Sequence, residues 1–455
     1  MKSSSSYLRV SSKSLFFNIL EVVNSQLLSK FFKNYSPLLL ILCGYSVFAM
    51  SRFSLGMILV DLQSILGINS FEAGILFSST SAAMAFTVIL AGKLNDKFGT
   101  YRMYLAGIAI FSLGHLLTYF TNDYFLLIFY LLLVGAGSGI ISSCTYLELG
   151  RYPSSRASML GVSNLVYSIG GFFGSWFTGI MMSTYNWQLA FSSFSVFSAI
   201  SGLLYYFSNS SSTSNMSSNY IDESSDSSHY FSKFNVVLLY TTMFVSNLAF
   251  FVLLAWVPTL LVSDKGLDLY TAGFIFSFFS LAGGIFSIPF GYLSDKLKNR
   301  TIVASFTAFI SAILGYFFLS ITGIYESVLL LSLLGAFLYP YWNLQLAMGQ
   351  ESVSPKKIGM VTGLLQNSAY LSGIAGPLIT GYFIKNLGII TSFNLGVIAP
   401  LVLYGFLILF WKAPKRILRL ICPHLKQVIF KALGLNPNLT LEFLPGIISS
   451  LHPLQ

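Results

Sequence analysis

Charge is scarce in this 455-residue sequence: Asp, Glu, Lys and Arg together make up 9% of it, where soluble domains carry about 25%. Fifteen acids and twenty-five bases cannot cover the surfaces of the two or three water-facing domains that this length would otherwise form. Cysteine is almost absent as well. Cys43, Cys144 and Cys422 have neither metal-site spacing nor a secreted disulfide pattern, so they read as structural thiols, and no metal or cofactor is expected. There is no H-E-x-x-H, no nucleophile elbow, no nucleotide-binding loop and no pair of acids in the middle of an apolar run. The common intramembrane enzyme chemistries are thereby disfavoured, and no catalytic residue is predicted.

What the sequence has in quantity is apolar residues, 55% of the chain. A bilayer core needs about 20 mostly apolar residues per helix. Breaking the chain at charges and Gly/Pro clusters yields twelve such stretches, near 37–60, 71–92, 103–121, 124–147, 158–182, 188–207, 234–262, 271–293, 301–321, 327–349, 358–384 and 391–411. The expected fold is an all-α membrane protein. The net charge of +10 does not point to nucleic acid, because the bases form no single run or face. They alternate with the spans instead. If both termini are cytoplasmic, twenty-two of the twenty-five bases lie on that side, Lys265 and Lys385 lie outside, and Arg52 alone sits within a span.

The chain divides into an arm (1–36), a six-helix bundle (37–207), a linker (208–233), a second bundle (234–411) and a basic tail (412–455). The linker is rich in Ser and Asn and reads as flexible. In the arm, Leu15, Ile19, Val23 and Leu27 recur at helical spacing among Lys13, Glu21 and Lys30, which predicts an amphipathic helix on the inner leaflet.

The two bundles repeat each other. Gly92 to Arg102 reads GKLNDKFGTYR and Gly291 to Arg300 reads GYLSDKLKNR, 199 residues apart; Pro153, Gly161, Gly171, Gly174 and Gly179 recur as Pro355, Gly363, Gly373, Gly376 and Gly381 at an offset of 202. Two ordered sets at nearly equal offsets argue for duplication. The first loop resembles the signature G-x-L-x-D-[RK]-x-G-x-x-[RK] of the major facilitator superfamily, met by Gly92, Leu94, Asp96, Lys97, Gly99 and Arg102. The second copy departs from it, with Lys298 where a glycine would make the tight turn.

Gly99 is suited to positive φ, Gly92 to close helix approach. Asp96 can accept hydrogen bonds at a neighbouring helix start, where the dipole favours an anion. The resemblance implies that the neighbour is the eleventh span. A contact of that kind lasts only while the halves touch on the cytoplasmic side, so Gly92, Asp96, Lys97, Gly99, Arg102 and their counterparts Asp295, Lys296 and Arg300 are expected to gate. Glu148 and Glu351, at nearly equivalent positions beside Arg151, Arg156, Lys356 and Lys357, are expected to form salt bridges between the halves. The alternative is that these are loop charges that only enforce topology.

A base inside a span costs about 2.5–3.5 kcal/mol on insertion scales, so it tends to face a cavity and serve function. Arg52 shares its helical face with Tyr45, Ala49 and Gly56, which suggests a cavity wall. A guanidinium there favours a carboxylate or other anion. Several anion-carrying branches of the superfamily place an Arg in the first helix; here Ser51 replaces the acid that usually precedes it. Polar and aromatic residues recur on other spans expected to line the cavity: Asn164 and Tyr167, Tyr240 and Asn247, Tyr339 and Asn343, Gln366 and Tyr370, with Trp256 and Trp342. His115 stands alone on the third span.

These features predict a secondary active transporter of a small anionic organic solute, working by alternating access in the cell membrane, as a monomer embedded in lipid. Its partners would be that solute and a co-transported proton, with no nucleic acid. The alternatives are a carrier of neutral or aromatic solutes in which Arg52 is structural and, from other classes, an intramembrane enzyme, a channel or a sensor.

Overall fold

In lipid an apolar run can satisfy its backbone only as a helix or a closed barrel, and here every run becomes a helix. The structure, a computed structural model, describes residues 12–150, 156–209, 233–353 and 358–411. Its helices are α1 (Ser12–Ile65), α2 (Ser70–Phe98), α3 (Thr100–Thr118), α4 (Tyr124–Gly150), α5 (Arg156–Thr184), α6 (Trp187–Asn209), α7 (Lys233–Asp264), α8 (Leu269–Leu297), α9 (Arg300–Ser320), α10 (Ile324–Glu351), α11 (Ile358–Leu387) and α12 (Ile389–Phe410). There is no strand among the described residues. Ten of these helices are long and apolar enough to cross a membrane on composition alone. The other two, α3 and α11, match predicted spans; Arg102 and His115 make α3 less apolar, and Gly, Ser, Gln and Asn dilute α11. The helical arm runs into α1 without a break. The linker beyond Asn209, the basic tail, Arg151, Lys356 and Lys357 fall outside the described residues.

The duplication read from glycine spacing reappears as a pseudo-twofold interface. Helix α2 packs on α11, and its counterpart α8 packs on α5. A Cβ on Gly74 would fall 2.8 Å from the Pro377 carbonyl oxygen, and a Cβ on Gly273 2.7 Å from that of Ser175. The pairs are related by the offsets of the sequence repeat. The same relation links Gly373 facing Ser81 to Gly171 facing Ser280, and Gly381 facing Ser70 to Gly179 facing Leu269. Small residues here let the helix backbones of the two halves touch.

The repeat extends to the helix ends. Asn69 caps α2, its side chain accepting from the N–H groups of Phe71 and Glu72 while Glu72 accepts from the Asn69 N–H at 2.8 Å. Asp268, 199 residues later, caps α8 by accepting from the Thr271 N–H at 3.1 Å, and hydrogen bonding from the Thr271 side chain and then its N–H holds its carboxyl below the usual range. At the other ends of these helices, Gly99 turns at φ 80° and Lys298 at φ 53°. The second turn therefore keeps a positive φ despite its missing glycine, Lys298 being left-handed where Gly99 is extended at ψ 149°, at a cost of about 1–2 kcal/mol for the non-glycine residue.

The halves touch along only part of their length. Contacts run from the capped starts of α2 and α8 to Asn367, which donates to the Ala85 carbonyl at 3.1 Å, and Asn164, which donates to Ser287 Oγ at 3.1 Å. Beyond that level, Gly92, Gly161, Gly291, Gly359 and Gly363 have open space where a Cβ would point, with nothing described within 4 Å. The interior is thus closed on the side of the Asn69 and Asp268 caps and parted on the side of the Gly99 and Lys298 turns.

Candidate functional site

Where the closed region ends, a cavity with about 580 Å³ of empty volume lies between the halves. Helix α1 contributes Tyr45, Phe48 and Arg52 to its wall, α4 Tyr146, and α5 Asn164 and Tyr167. From the other half come Asn247, Phe250 and Phe251 on α7, Tyr339, Tyr341 and Trp342 on α10, and Tyr370 on α11. Seven of the nine expected binding residues therefore converge: Arg52, Tyr45, Asn164, Tyr167, Asn247, Tyr339 and Tyr370.

Arg52 is 4% exposed. One terminal nitrogen donates to Thr80 Oγ1 at 2.5 Å and the other to Ser81 Oγ, both on α2. The guanidinium carbon lies 5.0 Å from the Phe77 ring centroid and 4.9 Å from that of Phe251, one ring from each half. Among the described residues no carboxylate pairs with it. Of its five N–H groups, two are used by the hydroxyls, which leaves donors for another acceptor.

The tyrosines are held in place by polar contacts that cross between elements. Tyr45 and Tyr146 pair at 3.2 Å, Tyr370 with Ser142 at 3.0 Å, and Tyr339 with Ser280 at 3.1 Å. Tyr341 donates to Asn247 Oδ1 at 3.1 Å, while the Asn247 amide donates back to the Met243 carbonyl at 2.8 Å. Ring contacts between Tyr45, Phe48 and Tyr167 at 5.6–5.9 Å complete an aromatic wall with fixed polar tips. Such a wall can stack on a ring and hydrogen-bond its substituents.

Asn343 and Gln366 do not line the cavity. Pro340 lacks the N–H that would continue the α10 ladder, yet Tyr339 keeps helical angles (φ −59°, ψ −35°) and its N–H still bonds the Gly335 carbonyl. From this turn Tyr341 and Trp342 reach the wall and Asn343 does not. Gln366 is buried one turn before Tyr370, and its amide nitrogen finds no partner among the described residues. Tyr240 is also outside the wall, where its carbonyl accepts from Ser368 at 2.6 Å. Trp256 is fully buried and donates to the Pro377 carbonyl at 3.2 Å, tying α7 to α11 within the second bundle. Helix α8, expected at the cavity, contributes no lining residue.

On the parted side, Asp96, Lys97 and Arg102 are exposed, Gly92 is half-buried, and Lys97 lies 5.2 Å from the ring of Phe98. Lys296 is exposed as well. Arg300 forms ion pairs with Asp295 at 3.0 Å and Glu351 at 2.7 Å, and its Nε donates to Glu351 at 2.9 Å. Glu351 was expected to bridge the halves; in this conformation it is instead held by Arg300 of its own half. The facing half is too far away where the bundles part. Glu148 is buried.

Residues 41–377 match the family model described as Major Facilitator Superfamily. The hexuronate transporter of Bacillus subtilis is 24% identical over 359 residues, covering 74% of this chain and 85% of that protein. A putative glycerol-3-phosphate transporter 4 of Arabidopsis thaliana is 29% identical over 175 residues, 35% of this chain and 32% of the relative. Among solved structures, a bacterial homolog of the human lysosomal transporter Spinster, inward-facing and occupied, superposes with a TM-score of 0.66 at 14% identity, covering 84% of this chain and 95% of that one. The nucleoside transporter NupG gives 0.65 at 13% identity, with 82% and 98% covered.

Proposed function

This chain belongs to the major facilitator superfamily, whose members are multi-pass membrane transporters of small solutes, and on that premise we propose that it carries a small anionic organic solute by alternating access. The observation that carries this reading is Arg52: a charge buried at the cavity wall with no carboxylate beside it. An uncompensated buried cation is costly unless something else neutralises it, and a bound carboxylate would do so through the free N–H groups. The Bacillus hexuronate transporter supports the same class, since a hexuronate joins one carboxylate to a hydroxylated ring. Tyr, Asn and Trp342 around the cavity suit such a ring.

The parted side is the cytoplasmic one in this reading, since Lys93, Lys97, Lys296 and Lys298 lie there. In this reading the carrier is a monomer in the cell membrane, the two halves of one chain sufficing to enclose the cavity. Rocking the halves would close that side and bring Asp96 to the start of α11. The test is uptake of labelled D-glucuronate into proteoliposomes, with competition by other carboxylates. Uptake is expected in the parent chain and loss of carboxylate competition in Arg52→Gln.

A second reading has Arg52 as a structural tie, favoured by its bonds to Thr80 and Ser81 and its two phenyl contacts, with a neutral or aromatic solute in the pocket. Carboxylate uptake that survives Arg52→Gln would select it.

A further inference from the structure

We propose that His115, hydrogen-bonded to Ser51, the residue that precedes Arg52 on α1, is the binding site for a proton that travels with the solute. This rests on the anionic-solute reading above and adds the coupling ion to it.

His115 is fully buried on α3. Its Nδ1 lies 2.9 Å from the Phe111 carbonyl, which can only accept, so Nδ1 carries the hydrogen in the neutral ring. Nε2 then has a free lone pair, and the Ser51 hydroxyl 2.7 Å away donates to it. Ser51 and Arg52 together line a second, much narrower space with room for about one water, with Thr80 on α2 and Ser138 on α4. Phe48 and Arg52 belong to both cavities, so the guanidinium stands between the solute pocket and the space that leads to Ser51. Apolar packing of a histidine requires neither the hydroxyl bridge nor that second space.

The imidazole has ring contacts with Phe191 and Phe194 of α6, at 4.6 and 5.9 Å, and with Phe111 of its own helix at 4.2 Å, while α4, which also packs on α3, carries no charged residue before Glu148 at its far end. No acid or base faces it from those elements among the described residues. Arg52, beside Ser51 on α1, is the charged group that adjoins this cluster. Protonation adds a hydrogen to the Nε2 lone pair. Nε2–H then donates to Ser51 Oγ, and the Ser51 hydrogen turns toward the cavity.

While Arg52 is unneutralised, an imidazolium would be a second like charge in a low-dielectric interior. Once a carboxylate occupies Arg52, that repulsion is offset, so anion and proton favour each other's binding. By linkage the effect is reciprocal. Solute and proton would therefore load together, which is symport.

The experiment uses the full chain in proteoliposomes enclosing a pH-sensitive dye, with D-glucuronate as the probe. In the parent chain, external glucuronate is expected to acidify the lumen, and an inward proton gradient to drive accumulation. His115→Gln is expected to lose the dye response and gradient-driven accumulation, with far less effect on glucuronate counterflow, which needs no net proton movement. Ser51→Ala, which leaves the ring in place, is expected to lose the dye response too, and it decides the matter if His115→Gln does not fold. Counterflow without acidification in the parent, or undiminished acidification in the variants, overturns the proton site and leaves the carrier reading standing. If the parent shows no glucuronate counterflow, the solute reading fails first and the proton site falls with it.

Discussion

The paired glycines make the sharpest test of alternating access. Alanine at Gly74 or Gly273 places a Cβ 2.8 or 2.7 Å from a carbonyl oxygen of the opposite half, well inside the separation of roughly 3.5 Å at which non-bonded atoms attract. The obstructing atoms are helix backbone, which cannot rotate away as a side chain would. Overpacking of this kind costs about 1–3 kcal/mol per site, which shifts an equilibrium by about 5–150-fold. Those contacts exist only with the cap side closed, so the loss falls on that conformation. Two substitutions together are sufficient to reverse a preference of a few kcal/mol. A reporter cysteine at Gly363, which faces open space, in a background with Cys43, Cys144 and Cys422 replaced by serine, reads the outcome by reaction with a water-soluble maleimide. The Gly74→Ala/Gly273→Ala chain is expected to label more slowly than its parent, whereas Gly315→Ala, whose Cβ would make an ordinary 3.9 Å contact with Ile398 of its own half, leaves the rate alone. Equal labelling in a folded, monodisperse double variant would refute the claim that these contacts open and close.

Three further outcomes follow from particular contacts. Lys298→Gly relieves a left-handed lysine at φ 53° and is expected to raise stability by about 1 kcal/mol, read as a higher midpoint in detergent unfolding. Asp268→Asn keeps a capping oxygen but removes the anion from the start of α8, a loss of about 0.3–1 kcal/mol; because the native carboxyl is held below its usual value, the gap between parent and variant is expected above about pH 4 and closes as pH falls through the native value. Trp256→Phe removes the hydrogen bond to Pro377 and is expected to cost about 1 kcal/mol, with circular dichroism at 222 nm as the probe.

The twelve spans and the doubling of the chain were legible because both depend on patterns that survive averaging: runs of apolar residues, and glycines at a constant offset. The caps at Asn69 and Asp268 obey the same offset and were open to the same reasoning, but a single polar residue ahead of a span is a faint signal. The cavity was readable where a helix is regular, as for Tyr45 with Arg52 or Asn164 with Tyr167. It failed at Asn343: Tyr339 is at the wall as read, but the residues of the following turn that reach it are Tyr341 and Trp342. Tyr146 and Phe251 gave no signal at all, since an aromatic in an apolar span has the same character whether it meets lipid, core or cavity. The Ser51–His115 bridge joins residues 64 positions apart, and no periodicity connects them.

The Arg300 triad has a mechanical corollary. With Asp295 and Glu351 fastened to one guanidinium, the hairpin turn between α8 and α9 is bolted to the end of α10, so a force applied to any of the three is shared by all. The matching hairpin of the other half presents Asp96 and Arg102 to water. Two loops of common ancestry thus differ in stiffness, and the bending needed to bring the bundles together would be concentrated in the softer one.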